Sequence, residues 1–211
     1  MATEGPSRRL FDVWSTFYDL PLVQRLTYLP VQDAVVAALR PLEPRRVLDV
    51  GCGTGLLATR LRAELPAAAI AGCDFSHGML LRARGRDAAV GWTQGDAQRL
   101  PFRDASLDAI VSTEAFHWFP DQHRALAEFF RVLVPGGRLL LAIVNTPNDV
   151  VRTVFQVASQ VAGQPFDWPT RADMRALCEV AGFRVEAQRR VFRIPAGLTM
   201  PPVLTIAVRP R

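Results

Sequence analysis

The sequence predicts an α/β fold in which a parallel sheet is covered by helices on both faces. Short apolar segments of strand length alternate with longer stretches of helical pattern, the rhythm of parallel-sheet proteins. The apolar run Val47-Leu48-Asp49-Val50 meets three glycines at alternate positions, Gly51, Gly53 and Gly55, and passes straight into Leu56-Leu57-Ala58-Thr59-Arg60-Leu61. Apolar residues make up 49% of the 211, enough for one domain with a real core.

In chain order, residues 10 to about 40 precede the first strand and are expected to divide at Pro21 and Pro30 into two helices. Phe11, Trp14, Phe17 and Tyr18 recur there at helical spacing, as a core-facing stripe would. Next come the strand ending at Val50, the glycine turn and the helix from Leu56. Such a turn is expected to put unpaired backbone N–H groups and the positive end of a helix dipole into one crevice. Glycine suits it because some positions need positive φ and a Cβ would block ligand approach. Dinucleotide folds usually read G-x-G-x-x-G, whereas here the third glycine arrives one residue early, as G-x-G-x-G.

Ala69 to Asp74 reads as a strand, with Asp74 or Ser76 available to cap the helix through Met79-Leu80-Leu81. Gly95-Asp96-Ala97 opens a turn before Pro101, and Leu107 to Ser112 reads as a buried strand leading to Thr113-Glu114-Ala115-Phe116-His117-Trp118-Phe119. A helix from Leu126, a Pro135-Gly136-Gly137 stop and a strand through Leu139-Leu140-Leu141 follow. Val150 to Val161 reads as a helix, and the aromatic Phe166-Asp167-Trp168-Pro169 segment leads to another from Thr170 to Ala181. Thr170 and Asp173 suit its start and Gly182 its end. Phe183 to Ile194 and Val203 to Val208 read as closing strands.

The stretch Asp49-Val50-Gly51-Cys52-Gly53-Thr54-Gly55 resembles the first motif of class I S-adenosylmethionine (SAM) dependent methyltransferases. Segments at 69–76, 95–102, 107–119 and 126–141 follow in that family's order, so the resemblance covers about residues 45 to 145. It implies a Rossmann-like, seven-stranded, mostly parallel sheet with an antiparallel terminal strand. It divides one domain, 1–211, into N-terminal cap helices (1–44), a SAM-binding core (45–145) and substrate-side helices with closing strands (146–211).

By the same resemblance Asp49, Gly51, Cys52, Gly53, Gly55, Phe75, Met79 and Glu114 belong to the cofactor site. Asp74 would accept hydrogen bonds from both ribose hydroxyls, a task for a doubly accepting carboxylate. Asp96 would take the adenine amino group and the Ala97 N–H a ring nitrogen. The opening Phe11 to Asp19 resembles methyltransferases related to the ubiquinone and menaquinone group, which places Trp14 and Tyr18 at the substrate pocket with His117 and Trp118. The further motifs of the quinone enzymes themselves are absent, so quinone specificity does not carry over. Phe166 and Trp168 fit either a pocket roof or loop anchors.

The net charge of +5 comes with scattered arginines and no lysine, the bias of a GC-rich bacterial genome. No dense basic run stands beside aromatics, so nucleic acid is not an expected partner, although arginine-rich surfaces favour acidic partners or anionic lipid. Cys52, Cys73 and Cys178 form neither a C-x-x-C pair nor an even framework, which points to a reducing cytoplasm. The start lacks the features of a signal peptide, and no uncharged apolar run reaches membrane-spanning length. His117, Asp121 and His123 do not form a metal set, and no metal is expected.

The expected activity is methyl transfer from SAM to a small, partly apolar or aromatic acceptor, and neither the acceptor atom nor the oligomeric state is legible. Positioning two reactants can supply on the order of 7–11 kcal/mol, so no protein nucleophile is needed. His117, with an ordinary pKa of about 6.5, is the candidate general base or pocket wall. The alternatives are a non-enzymatic SAM-binding module and an NAD-dependent oxidoreductase, which shares the sheet and the acid but not the glycine spacing.

Overall fold

A computed structural model describes residues 28–161, 166–191 and 202–211. Its strands are β1 (Arg46–Val50), β2 (Ala69–Asp74), β3 (Gly91–Gln94), β4 (Leu107–Thr113), β5 (Leu133–Val144), β6 (Arg184–Arg190) and β7 (Pro202–Val208). Its α-helices are α1 (Leu29–Leu39), α2 (Leu56–Glu64), α3 (His77–Arg86), α4 (Gln122–Val132), α5 (Asp149–Val161) and α6 (Arg171–Val180).

The strands form one sheet in the order β3-β2-β1-β4-β5-β7-β6. Pairs from β3 to β5 are parallel, and β7 runs antiparallel to both β5 and β6. This is the expected Rossmann-like sheet, with a terminal strand of reversed direction.

Neighbouring residues of a strand point to opposite faces, and the buried side chains divide accordingly. Leu48, Ile110 and Leu139 join one core with Leu126 and Phe129 of α4 and Met174 and Cys178 of α6. Val47, Val111 and Leu140 join the other with Val35 and Leu39 of α1 and Leu57 and Leu61 of α2. Each fully buried Leu, Val or Phe stabilises by roughly 1.5–3 kcal/mol, so the central strands hold both helical layers at once.

Local chemistry sets the boundaries. Ser76 caps α3 by accepting from the Met79 N–H at 3.2 Å, and Asp121 caps α4 by accepting from the Arg124 N–H at 2.9 Å. Thr170 and Asp173 form the expected reciprocal capping box on α6, and Gly182 ends it at φ +95°.

Pro30 lies in the first turn of α1, where its missing N–H would have had no partner. One expectation is corrected. Pro135-Gly136-Gly137 does not separate α4 from a later strand: Leu133 already pairs with Leu107, and the triplet is an irregularity inside β5 before pairing resumes at Arg138. Gly136, at φ +83°, makes that excursion possible. Trp14 and Tyr18, with the first of the expected helices, lie outside the described residues, as do 192–194 of the expected closing strand.

Candidate active site

The glycine turn hooks over the end of β2. The N–H groups of Gly51 and Cys52 donate to the Cys73 carbonyl at 2.8 and 3.2 Å, and that of Gly55 donates to Cys52 at 2.9 Å. The Gly53 N–H donates to Asp74 Oδ2 at 2.8 Å. These donors are therefore satisfied within the protein and not left open in the crevice, a correction to the expected cradle of unpaired N–H groups.

All three glycines have positive φ, but for different reasons. A Cβ on Gly51 would lie 2.4 Å from that of Ala115, and one on Gly55 would lie 2.4 Å from the Trp92 ring. Only Gly53 faces open space, with nothing within 4 Å of where a Cβ would stand. Close packing explains the outer two, and ligand approach remains an explanation for Gly53 alone.

Carboxylates gather where the N–H groups do not. Asp49, Asp74 and Asp96 stand at or just past the ends of the adjacent strands β1, β2 and β3, the edge where open α/β sheets bind ligands. Asp49 is buried, and its Oδ2 has no hydrogen-bond partner among the described residues. Burial first, and the charge of Asp74 second, push its carboxyl up to about 8 against the pull of a hydrogen bond from the Ala58 backbone. Asp49 lines a small cavity of about 20 Å³ with Tyr28, Gln32, Gly51, Cys52 and Thr113.

Asp74 is also buried, its second oxygen accepting from the Ser76 N–H at 2.9 Å. Asp96 is exposed and closes a turn by accepting from the Gln98 N–H at 2.8 Å, with Ala97 buried beside it. Phe75 offers its carbonyl to Gln94 Nε2 at 3.0 Å, and Met79 is buried on α3. Glu114 takes φ +54° just past β4, with its N–H on the Ala142 carbonyl at 2.7 Å. A non-glycine residue in that region costs of order 1–3 kcal/mol and persists where surroundings over-determine it, often at a functional site.

Past β4 the chain makes a short 3₁₀ turn, Phe116–Trp118, that buries His117. The imidazole lies against Trp118 and Trp168, with ring centroids 5.0 and 5.2 Å away, and edge-on to Phe166 at 6.4 Å. Phe166 in turn packs on Trp168 at 4.8 Å and Trp118 at 5.2 Å. Burial alone drives His117 down to about 3, so the ring is neutral at pH 7.

The residues that hold this cluster carry no sequence motif. Gln122 Nε2 donates to the Asp167 carbonyl at 2.8 Å, and the Asp167 N–H donates to the His117 carbonyl at 3.0 Å. Asn145 Nδ2 donates to the Pro169 carbonyl at 2.9 Å, and Thr146 Oγ1 to that of Trp168 at 3.0 Å. Arg152 of α5 grips both oxygens of Asp167, at 2.8 and 2.5 Å, and Asp173 at 2.9 Å. Pairing of Thr146 with Thr170, 24 residues apart, could have been found only from the topology.

A mostly parallel sheet of this order, with acids aligned along its carboxyl edge, defines the class: a Rossmann-like α/β protein. Residues 48–141 match the family model described as Methyltransferase domain. A demethylmenaquinone methyltransferase of Deinococcus radiodurans is 47% identical over 122 residues, 56% of this chain and 51% of that protein. The chain thus spans about half the length of that relative. One from Thermus thermophilus is 32% identical over 177 residues, 72% of this chain and 80% of its own. Among solved structures, a SAM-dependent methyltransferase of Thermotoga maritima superposes with a TM-score of 0.76 at 26% identity, covering 96% of this chain and all of that one. The chain belongs to the SAM-dependent methyltransferase family. No helix among the described residues is long and apolar enough to cross a membrane.

Proposed function

We propose that this chain binds SAM at the carboxyl ends of β1 to β3 and transfers its methyl group to a small, partly apolar or aromatic acceptor. The observation that carries the reading is Asp49 Oδ2, a buried carboxyl oxygen with no partner among the described residues, on a residue that lines a small cavity beside the glycine turn. A cation would draw this carboxyl into its ionised form and pair with it, and the α-ammonium of SAM is one. SAM has no phosphate, which agrees with a turn whose N–H groups are already bonded.

In this reading Gly51, Cys52, Gly53 and Gly55 shape the floor, and Asp74 takes the ribose hydroxyls. Asp96 and Ala97 hold the adenine, with Phe75, Met79 and Glu114 walling the site. Bound SAM supplies a methyl already activated on sulfonium. The chain's own work is to hold the acceptor in line and keep water away. His117 and Trp118 line the acceptor side with Phe166 and Trp168. We assign His117 to the pocket wall, since a ring held neutral to about 3 is a weak base near pH 7. Three free cysteines suit a reducing cytoplasm.

Calorimetry with SAM, S-adenosylhomocysteine and NAD tests the cofactor. Micromolar binding of the first two and none of NAD is the expected result; NAD binding, or no binding at all, overturns the reading. Methyl-label transfer to an acceptor panel then separates an enzyme from a SAM-binding module without turnover.

A further inference from the structure

Two buried polar atoms past the carboxyl ends of neighbouring strands have no hydrogen-bond partner among the described residues: His117 Nδ1, just past β4, and Asn145 Oδ1, just past β5. The two side chains are 5% and 8% exposed. Their strands are neighbours in the sheet, with Thr113 opposite Ala142. Both residues are pinned to the same aromatic segment, His117 through its carbonyl and the Asp167 N–H, and Asn145 through its amide nitrogen and the Pro169 carbonyl.

The second contact fixes the chemistry of Asn145. A carbonyl only accepts, so the amide nitrogen must face Pro169 and the oxygen must face away from it. What remains is a pure acceptor. The neutral imidazole presents Nδ1 as an acceptor in one of its two tautomers. Trp118, Phe166 and Trp168 surround the imidazole with flat apolar surface and limit the water that could satisfy these atoms.

We propose that Asn145 Oδ1 and His117 Nδ1 each accept a hydrogen bond from an O–H or N–H of the methyl acceptor, so that the site selects flat, apolar molecules carrying two such protons. This rests on the methyltransferase reading above and deepens it by naming the acceptor class. A ligand of the same shape without the protons leaves both buried acceptors unsatisfied, and that loss sets the discrimination. Asn145 is thus a specificity-determining residue, placed by the end of β5 and not by any motif.

The test uses the full chain saturated with S-adenosylhomocysteine and compares 2,3-dihydroxynaphthalene with 2,3-difluoronaphthalene, of nearly the same shape but without the protons, by calorimetry. Wild type is expected to bind the diol at least about tenfold more tightly. Asn145→Ala and His117→Phe, the second keeping an aromatic ring in the cluster, are each expected to lower that ratio several-fold. A purely structural role would weaken both probes together and leave the ratio intact. Equal affinity of wild type for the two probes, measurable binding of neither, or an unchanged ratio in both variants overturns the inference while S-adenosylhomocysteine binding still supports the methyltransferase reading. Failure of S-adenosylhomocysteine itself to bind overturns that reading and the inference with it.

Discussion

The Gly53 N–H donates to Asp74 Oδ2 across 2.8 Å, joining the glycine turn after β1 to the last residue of β2. One carboxylate therefore fixes the shape of the turn, and in the proposed site it also takes the ribose hydroxyls. Asp74→Ala is expected to weaken SAM binding by more than tenfold, since each charge-assisted hydrogen bond is worth roughly 1.5–3 kcal/mol. Calorimetry checks this, and an unchanged affinity would remove Asp74 from the ribose site.

Gly53 and Gly55 should respond differently to the same methyl group. Gly55→Ala forces a Cβ to within 2.4 Å of the Trp92 ring at φ +80°, and a loss of about 2–4 kcal/mol in stability is expected. Gly53→Ala meets open space and carries only the left-handed backbone cost of about 1–2 kcal/mol. In the proposed site its Cβ enters the cofactor's side of the turn, so SAM affinity is expected to fall at least tenfold. Urea unfolding and calorimetry on both variants separate packing from ligand approach; equal effects in the two assays would mean that Gly53 faces no ligand.

Asp49 should make SAM binding release a proton. With its carboxyl at about 8 in the folded chain, Asp49 is largely protonated at pH 7, and an arriving ammonium favours the ionised form. Calorimetry at pH 7 in two buffers of different ionisation enthalpy is expected to show release of about one proton. The same shift affects stability. The unfolded chain loses this proton near pH 4 and the folded chain near pH 8, so the contribution of Asp49 declines as pH rises between them. Asn in its place should flatten that part of the stability profile.

The glycine turn and the acids were legible because each is fixed by local backbone or by strand ends: three glycines at alternate positions, and Asp49 and Asp74 at the carboxyl ends of β1 and β2. Gly182 and the Thr170–Asp173 capping box were legible for the same reason. Asn145, Gln122 and Arg152 were not, because their partners lie 24, 45 and 15 residues away and their types are ordinary on any surface. The left-handed turn at Glu114 has no glycine to announce it. The pattern of Pro135-Gly136-Gly137 suggested a stop because irregularity inside a strand looks the same as a loop until the partner strand is known.

Burial holds the His117 imidazole down to about 3, so its NMR signals are expected not to titrate between pH 8 and 5. The unfolded chain takes up this proton near pH 6.5 and the folded chain does not, so stability falls with pH from about 6.5 towards 3. His117→Phe should remove that portion of the acid sensitivity. A midpoint near 6.5 in the folded protein would show that the ring reaches water and would restore it as a candidate base.

Arg152 should control the acceptor side without touching the cofactor. Its guanidinium meets both oxygens of Asp167 between Phe166 and Trp168, and also Asp173, which closes the start of α6. A planar fork suits that bidentate grip, whereas a lysine offers a single point charge. All three side chains keep some exposure to water, so the stability cost of Arg152→Met is expected to be only about 1 kcal/mol. The functional cost should be larger and selective. Once the aromatic segment is loosened, KM for the acceptor is expected to rise several-fold while the affinity for S-adenosylhomocysteine stays within twofold of wild type. Arg152→Lys should fall between the two, because it keeps the charge and loses the fork. Parallel loss of acceptor and cofactor affinity would mean that α5 supports the whole carboxyl edge and not the aromatic segment in particular.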